Sequence, residues 1–264
     1  MERIDFHTHC FPEKIAARAM ESLSAASGGL RPCTNGTAPG LLARMEAAGV
    51  DKSCIMSIAT NPKQQKNVND FAASLASERL IPFGSIYPNA PDQIEELYRI
   101  KELGLKGVKL HPEYQGFFVD DPAMAEVYDT IGKLGLVTVF HAGADIGYPP
   151  PVHCPPPRLK AALPAFRGAP VVAAHFGGYL LWDEVLEHLA GTNVFLDTSF
   201  CYGIMPLPYA KELLMVHGAD HILFGSDLPW SDPADGIRFV EAFCENAADQ
   251  KKIFAENARK ILKM

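Results

Sequence analysis

No C-x-x-C pair occurs among the six cysteines of this 264-residue chain, Cys10, Cys33, Cys54, Cys154, Cys201 and Cys244. Cysteines this far apart in a chain of this size point to reduced thiols rather than a disulfide frame, and so to the cytoplasm. The amino terminus, Met1-Glu2-Arg3-Ile4-Asp5-Phe6, lacks the basic region, apolar stretch and small-residue cleavage site of a secretory signal. No apolar run reaches the roughly 20 residues that a membrane-spanning helix needs. The 24 Lys and Arg, against 31 Asp and Glu, form no cluster, so the concentrated positive charge of a nucleic-acid surface is missing. A small anionic substrate is still compatible with a net charge of −7, because a local site can be positive in an acidic protein.

Hydrophobic residues make up 48% of the chain, enough for one sizeable core, and the length suits a single domain over residues 1–264. A unit recurs along it: an amphipathic stretch, a glycine, then a short run rich in Val, Ile and Leu. Gly49, Gly104, Gly135 and Gly218 occupy the glycine position in four such units. Glycine tolerates the left-handed backbone that ends a helix, so each unit reads as helix, cap, strand. Eight candidate strands follow, at about 3–8, 54–59, 81–87, 106–111, 136–141, 170–175, 193–198 and 221–226. Eight parallel strands alternating with helices predict a single (β/α)8 barrel. Helices at about 233–245 and 249–262 close the chain.

Two stretches break the repeat. Ser22 to Gly40 is rich in Ser, Ala, Gly, Thr, Asn and Pro and reads as a loop after the first strand. Asp145 to Pro157 carries six prolines after the fifth strand. Both insertions would emerge at the carboxyl-terminal face of the barrel, where substrates bind in this fold, and either could cover the site.

His7 and His9, one residue apart at the end of the first strand, point to the same side and can share a cation. Such a doublet alone says little. Its weight grows because His111, His141, His175 and Asp227 fall at equivalent ends of other strands. In a closed barrel those positions ring one opening, so five of the nine histidines and one aspartate converge. Unrelated core histidines would not gather at the same end of strand after strand.

The segments Ile4-Asp5-Phe6-His7-Thr8-His9, Phe140-His141-Ala142-Gly143, Ala174-His175-Phe176-Gly177-Gly178 and Phe224-Gly225-Ser226-Asp227-Leu228-Pro229-Trp230 resemble the amidohydrolase superfamily. Within it they resemble amidohydrolase family 2, the group of aminocarboxymuconate semialdehyde decarboxylase and related decarboxylases, hydratases and lactone hydrolases. The resemblance spans nearly the whole chain. It implies that His7, His9, His141 and Asp227 hold a divalent metal, zinc first and manganese or iron next, with Asp227 also handling protons. It implies His175 as the acid/base residue. A homodimer acting on a small molecule is the assembly it suggests.

Two chemistries fit that ring. The first is hydrolysis of a small amide, ester or lactone by a metal-activated water; the alternative is non-oxidative decarboxylation of an unsaturated or aromatic acid. Lys109 lies deeper in the fourth strand and is expected to pair with Asp5, leaving one metal per site. His111 is then a substrate contact or an extra ligand. Tyr114, Tyr148, Tyr202 and Trp230, with Phe117 and Phe200, lie just past strand ends and are expected to wall the pocket. Arg158 reads as an exposed arginine opening a helix, and Cys10 as packing turned away from the metal.

Overall fold

The computed structural model describes residues 1–264 and contains eight short parallel strands. They are β1 (Ile4–Thr8), β2 (Lys52–Met56), β3 (Leu80–Phe83), β4 (Gly107–Leu110), β5 (Val137–Phe140), β6 (Val171–Ala173), β7 (Phe195–Asp197) and β8 (Ile222–Leu223). Every expected strand is present at its place. Pairing is sequential, β1 to β3 in one sheet and β4 to β8 in another. Backbone hydrogen bonds cross both seams. Gly84 N–H donates to the Gly107 carbonyl at 2.9 Å and Lys109 N–H to that of Gly84 at 2.8 Å. On the other side Phe6 N–H reaches the Phe224 carbonyl and Asp227 N–H the His7 carbonyl, each at 2.8 Å. The fold is a (β/α)8 barrel.

Helices end and strands begin as the repeat requires. Helix Ala125–Leu134 stops at Gly135, whose φ of 62° is the left-handed cap, and β5 starts two residues later. A cluster of 15 buried apolar residues joins β1, β2, β3, β5, β6, β7 and β8 to the last helical turns, with Phe6, Phe83, Val139 and Ile261 among them. A larger cluster of 50 lies between the strands and the surrounding helices. The ring is thus packed solid below its carboxyl-terminal end.

Two expectations about local structure change. Residues 22–26 are helical: α1 (Glu13–Ala26) runs through them before a turn and α2 (Ala38–Ala48). Alanine favours helix strongly, and burial of Ala16 and Met20 anchors the preceding turns, which outweighs the serines. The second difference is at the carboxyl end, where Ala247–Lys251 and Asn257–Leu262 flank a wider turn at Lys252–Glu256. That turn aims the Ile253 carbonyl at Phe224 N–H (2.9 Å), while Asn257 Nδ2 donates to the carbonyls of Ala219 and Ile222. The short strand β8 is held in this way. All six cysteines are free thiols, and no helix is long and apolar enough to cross a membrane.

Candidate active site

A cavity of about 520 Å³ opens above the carboxyl-terminal ends of the strands. His7, His9, His111, His141, His175, Asp227 and Lys109 all line it, so residues more than 200 positions apart do meet. Ligand atoms of His7, His9 and Asp227 lie within 4.8 Å of one another, and those of His111, His141 and Asp145 form a second group within the same distance.

The hydrogen bonds of each ring fix which nitrogen carries its proton. His9 Nδ1 donates to the Met56 carbonyl at 2.8 Å, which leaves the Nε2 lone pair 3.1 Å from Asp227 Oδ1. His7 Nδ1 donates to Asp197 Oδ2 at 2.8 Å, leaving Nε2 to face Lys109 Nζ at 3.3 Å and Asp227 Oδ1 at 3.6 Å. His141 Nε2 donates to the Ala144 carbonyl (3.1 Å) and His175 Nδ1 to that of Ser199 (3.2 Å). The two free nitrogens, His141 Nδ1 and His175 Nε2, then confront each other at 3.0 Å. Lone pairs aimed at one another or at a carboxylate repel unless a proton or a metal cation stands between them. His7, His9 and Asp227 therefore fit a divalent metal, each imidazole oriented through its far nitrogen as metal-binding histidines are, while His141 Nδ1 and His175 Nε2 lie in the same cavity outside that trio.

The second group is different in kind. His111 Nδ1 accepts from Tyr114 N–H at 3.4 Å, so its Nε2 carries the hydrogen and turns toward Asp145 Oδ2 at 3.5 Å. The donating Nε2 of His141 lies 3.7 Å from the same oxygen. Here two N–H groups surround a carboxylate, an arrangement that needs no metal.

Electrostatics follow from burial and these contacts. Burial opposes the charge on Asp227, but the hydrogen bond to His9, formed when a proton rather than a metal lies between the two, and the nearby His7 and His175 outweigh it and hold the carboxyl at about 2. Burial likewise opposes Asp197, whose pairing with His7 keeps it below the usual carboxylate range. Burial and the neighbouring Lys109 charge bring His7 down to about 4. Near neutral pH His7 and His141 are therefore available as lone-pair donors, and Asp227 and Asp197 are ionised.

Lys109 does not pair with Asp5. Its ammonium turns to His7 and is steadied by the charges of Asp197 and Asp227, while burial lowers its pKa to about 8. Asp5 is instead bound by Ser226 N–H (2.9 Å), the Ser226 hydroxyl and His7 N–H (3.2 Å). Burial without a cation raises its pKa to about 7.

The backbone at two of these residues is left-handed, with φ of 58° at His175 and 72° at Asp227. Such conformations cost roughly 1–2 kcal/mol per residue. Trp182 Nε1 bonding to the His175 carbonyl (3.2 Å) and Asp227 N–H bonding to that of His7 hold them in place. The chain turns sharply there and both side chains enter the cavity.

Among the expected aromatic contacts, Tyr114, Phe200 and Trp230 line the cavity. Tyr114 lies flat on His111 (centroids 3.7 Å apart, 16° between planes), and His111 on His141 (4.2 Å, 11°). Tyr148 and Tyr202 do not line it. Tyr148 packs on the outer side of Tyr114, and Tyr202 faces the Arg238 guanidinium at 5.5 Å. Phe117 is buried away from the cavity, whereas Cys10, expected to turn away, contributes to the wall. Arg158 is surface-exposed and bonded to Asp120 at 2.7 Å. Both insertions reach the site, the first through α1 and Leu30, the second through Asp145 and Ile146.

Asp197, Ser199 and Tyr179 escape the sequence reading. The signal present was position: Asp197 closes β7, as the candidate ligands close their own strands.

A barrel with converging imidazoles and a carboxylate at its carboxyl-terminal mouth defines the class of metal-dependent barrel enzymes. Residues 4–264 match the family described as Amidohydrolase, and the chain belongs to that family. No curated protein sequence matches it. Solved structures match over the whole fold. An uncharacterized TIM-barrel protein from Bordetella bronchiseptica has 18% identity and a TM-score of 0.77, covering 100% of this chain and 99% of its own. The 5-carboxyvanillate decarboxylase of Sphingomonas paucimobilis has 17% identity and a TM-score of 0.74, with 100% and 99% covered. A dihydroxybenzoic acid decarboxylase from Polaromonas, solved with manganese and the inhibitor 2-nitroresorcinol, has 18% identity and a TM-score of 0.76, with 99% and 97% covered.

Proposed function

We propose that this protein is a metal-dependent, non-oxidative decarboxylase of a hydroxylated aromatic or similarly unsaturated acid, in place of the hydrolase expected first. The observation that carries this reading is the wall of the cavity: 16 of its 30 lining residues are hydrophobic, and a stacked Tyr114–His111–His141 column runs down to the donor atoms. Water is poorly held by such a wall. A substrate carboxylate placed against it loses solvation that the leaving carbon dioxide does not need. The decarboxylases among the structural relatives support the same choice.

In this proposal His7, His9, His141 and Asp227 hold the cation, zinc by the nitrogen-rich donor set or manganese as in the Polaromonas protein. When bound, the cation supplies positive charge that polarises a substrate oxygen. The Tyr114–His111 face orients the planar substrate. Lys109, the cavity's one ammonium, draws an anionic oxygen toward the base of the site. The carbon–carboxyl bond breaks with its electron pair left on the ring carbon. His175, once its Nε2 has taken up a proton from solvent, delivers that proton to the carbon, since Nδ1–H is committed to the Ser199 carbonyl. One proton is consumed and carbon dioxide leaves.

Hydrolysis is the second reading, favoured by Asp227, a carboxylate at neutral pH placed to accept a proton from water. The test is direct. Manganese- or zinc-loaded protein is incubated with dihydroxybenzoates and with lactones and acyl amides, and released carbon dioxide is measured beside acid production. Carbon dioxide from a hydroxylated aromatic acid supports the proposal; turnover confined to lactones or amides overturns it. Sedimentation tests the proposed homodimer.

A further inference from the structure

Helix α1 carries two apolar stripes. Ala16 and Met20 are buried in the body of the protein. Ile15, Ala19 and Leu23, spaced four apart and hence on one face, line the cavity instead, and Ile15 is 50% exposed there. Helix α3 (Gln65–Ser74) also contributes two apolar residues to the wall, Val68 and Phe71, which are only half-buried, beside one neutral polar residue, Asn67. Every charged or imidazole side chain in the cavity comes from a strand end or from the loop after β5; neither α1 nor α3 supplies one. The cavity thus has a polar end at the cation ligands and an apolar arm, continuous with it, whose side chains are left partly bare by the protein itself. At about 520 Å³ it lies within the 300–1,000 Å³ typical of drug-sized ligands, so a single hydroxylated ring leaves the arm unfilled.

We propose that the arm between α1 and α3 binds a hydrocarbon substituent, so that the preferred substrate is an aromatic acid bearing an alkyl chain. The head-group part of this statement rests on the decarboxylase reading; the affinity of the arm for hydrocarbon does not. Because α1 is an additional helix placed between β1 and α2, its inward stripe lies outside the strand ends that hold the ligands and is free to set specificity.

The probes are resorcinol and 4-hexylresorcinol, neither of which can lose carbon dioxide, titrated calorimetrically into manganese-loaded protein. Each buried methylene is worth roughly fourfold in affinity, so even a partly covered hexyl chain is expected to bind at least about tenfold more tightly than resorcinol. Ala19→Phe, which fills the arm, is expected to abolish that gain, and Leu23→Ser to reduce it. Equal binding of the two probes overturns the inference, as does a gain that Ala19→Phe leaves intact. A dimer broken by Ala19→Arg, with no alkyl preference in the monomer, would give the arm to a second copy and overturn it too. If the hexyl gain is present and sensitive to Ala19 while no hydroxylated aromatic acid releases carbon dioxide, the arm stands and the proposed reaction falls.

Discussion

His141 Nδ1 and His175 Nε2 face each other at 3.0 Å, and each ring has already given its other nitrogen's hydrogen to a backbone carbonyl. Two neutral imidazoles in that state oppose lone pair to lone pair. The same conflict recurs at His9 Nε2 and Asp227 Oδ1, 3.1 Å apart. The folded chain has assembled two such pairs of acceptors in one cavity, where a cation stabilises them, and the backbone carbonyls prevent the rings from simply exchanging tautomers.

Removal of metal is therefore expected to lower the stability of the whole barrel. A ligand present at a hundred times its dissociation constant adds about 2.7 kcal/mol to the folded state. Thermal unfolding with and without a chelator checks this, with recovery on adding back zinc or manganese. An unchanged midpoint would mean that the cluster binds no ion tightly.

Asp197 orients His7 by the 2.8 Å bond to Nδ1. It also accepts from His175 N–H and from Ser199 N–H and its hydroxyl, so its carboxylate organises two of the rings. Asp197→Asn keeps the shape and loses the charge. Metal affinity is expected to fall 10–100-fold, measured by competition with a chromogenic chelator, with the fold retained by circular dichroism.

His175→Asn is expected to behave in the opposite way, retaining metal and losing about 10²–10⁴-fold in turnover, as for removal of a general acid. Metal content and turnover on one preparation separate the roles. Metal loss with this variant would place His175 among the ligands.

Much of this was legible in the chain. Glycine followed by a Val/Ile/Leu run, repeated at strand spacing, marks barrel units, and histidines after β1, β4, β5 and near β6 give away the mouth. Asp197 was not legible, because nothing local to Leu196-Asp197-Thr198 tells that its carboxylate meets a histidine 190 residues earlier. Lys109 misled for a related reason. Alternation along β4 gives its depth in the barrel, but its partner across the ring depends on strand stagger and on Ser226 having already satisfied Asp5. Tyr148 and Tyr202 follow strand ends in sequence, yet their loops carry them outward, and sequence offers no measure of loop direction.

His217, away from the site, sets a pH dependence of its own. Its Nε2 donates to the Val194 carbonyl at 2.9 Å and its Nδ1 accepts from Gly191 N–H at 3.2 Å, so the neutral ring satisfies both. Burial lowers its pKa below the ordinary 6.5; the Val194 bond works against that and the charge of His221 adds to it. The unfolded chain therefore takes up the proton at higher pH than the folded one. The stability this group contributes is full above pH 6.5 and is lost as pH falls through its folded value. Thermal midpoints of wild type and His217→Gln between pH 5 and 7 should differ in slope, with the wild type falling more steeply toward acid.

Gly143 offers a test of how tightly the mouth is built. Its φ is 84°, and a Cβ there would lie 2.1 Å from Tyr179 N and 2.5 Å from the Tyr179 carbonyl oxygen, both backbone atoms of the strand-like bridge between the two loops. The neighbouring Ala144 carbonyl receives the His141 Nε2 hydrogen, so a displaced loop also unseats a candidate ligand. Gly116, at φ 68° with nothing within 4 Å of such a Cβ, carries the same conformational demand without the clash. Both alanine variants should lose stability by the left-handed strain, about 1 kcal/mol. Gly143→Ala should lose clearly more and bind metal more weakly, while Gly116→Ala keeps full metal affinity. Equal losses in unfolding midpoint and metal affinity would show that the two loops yield freely and that the contact at Tyr179 does not hold His141 in place.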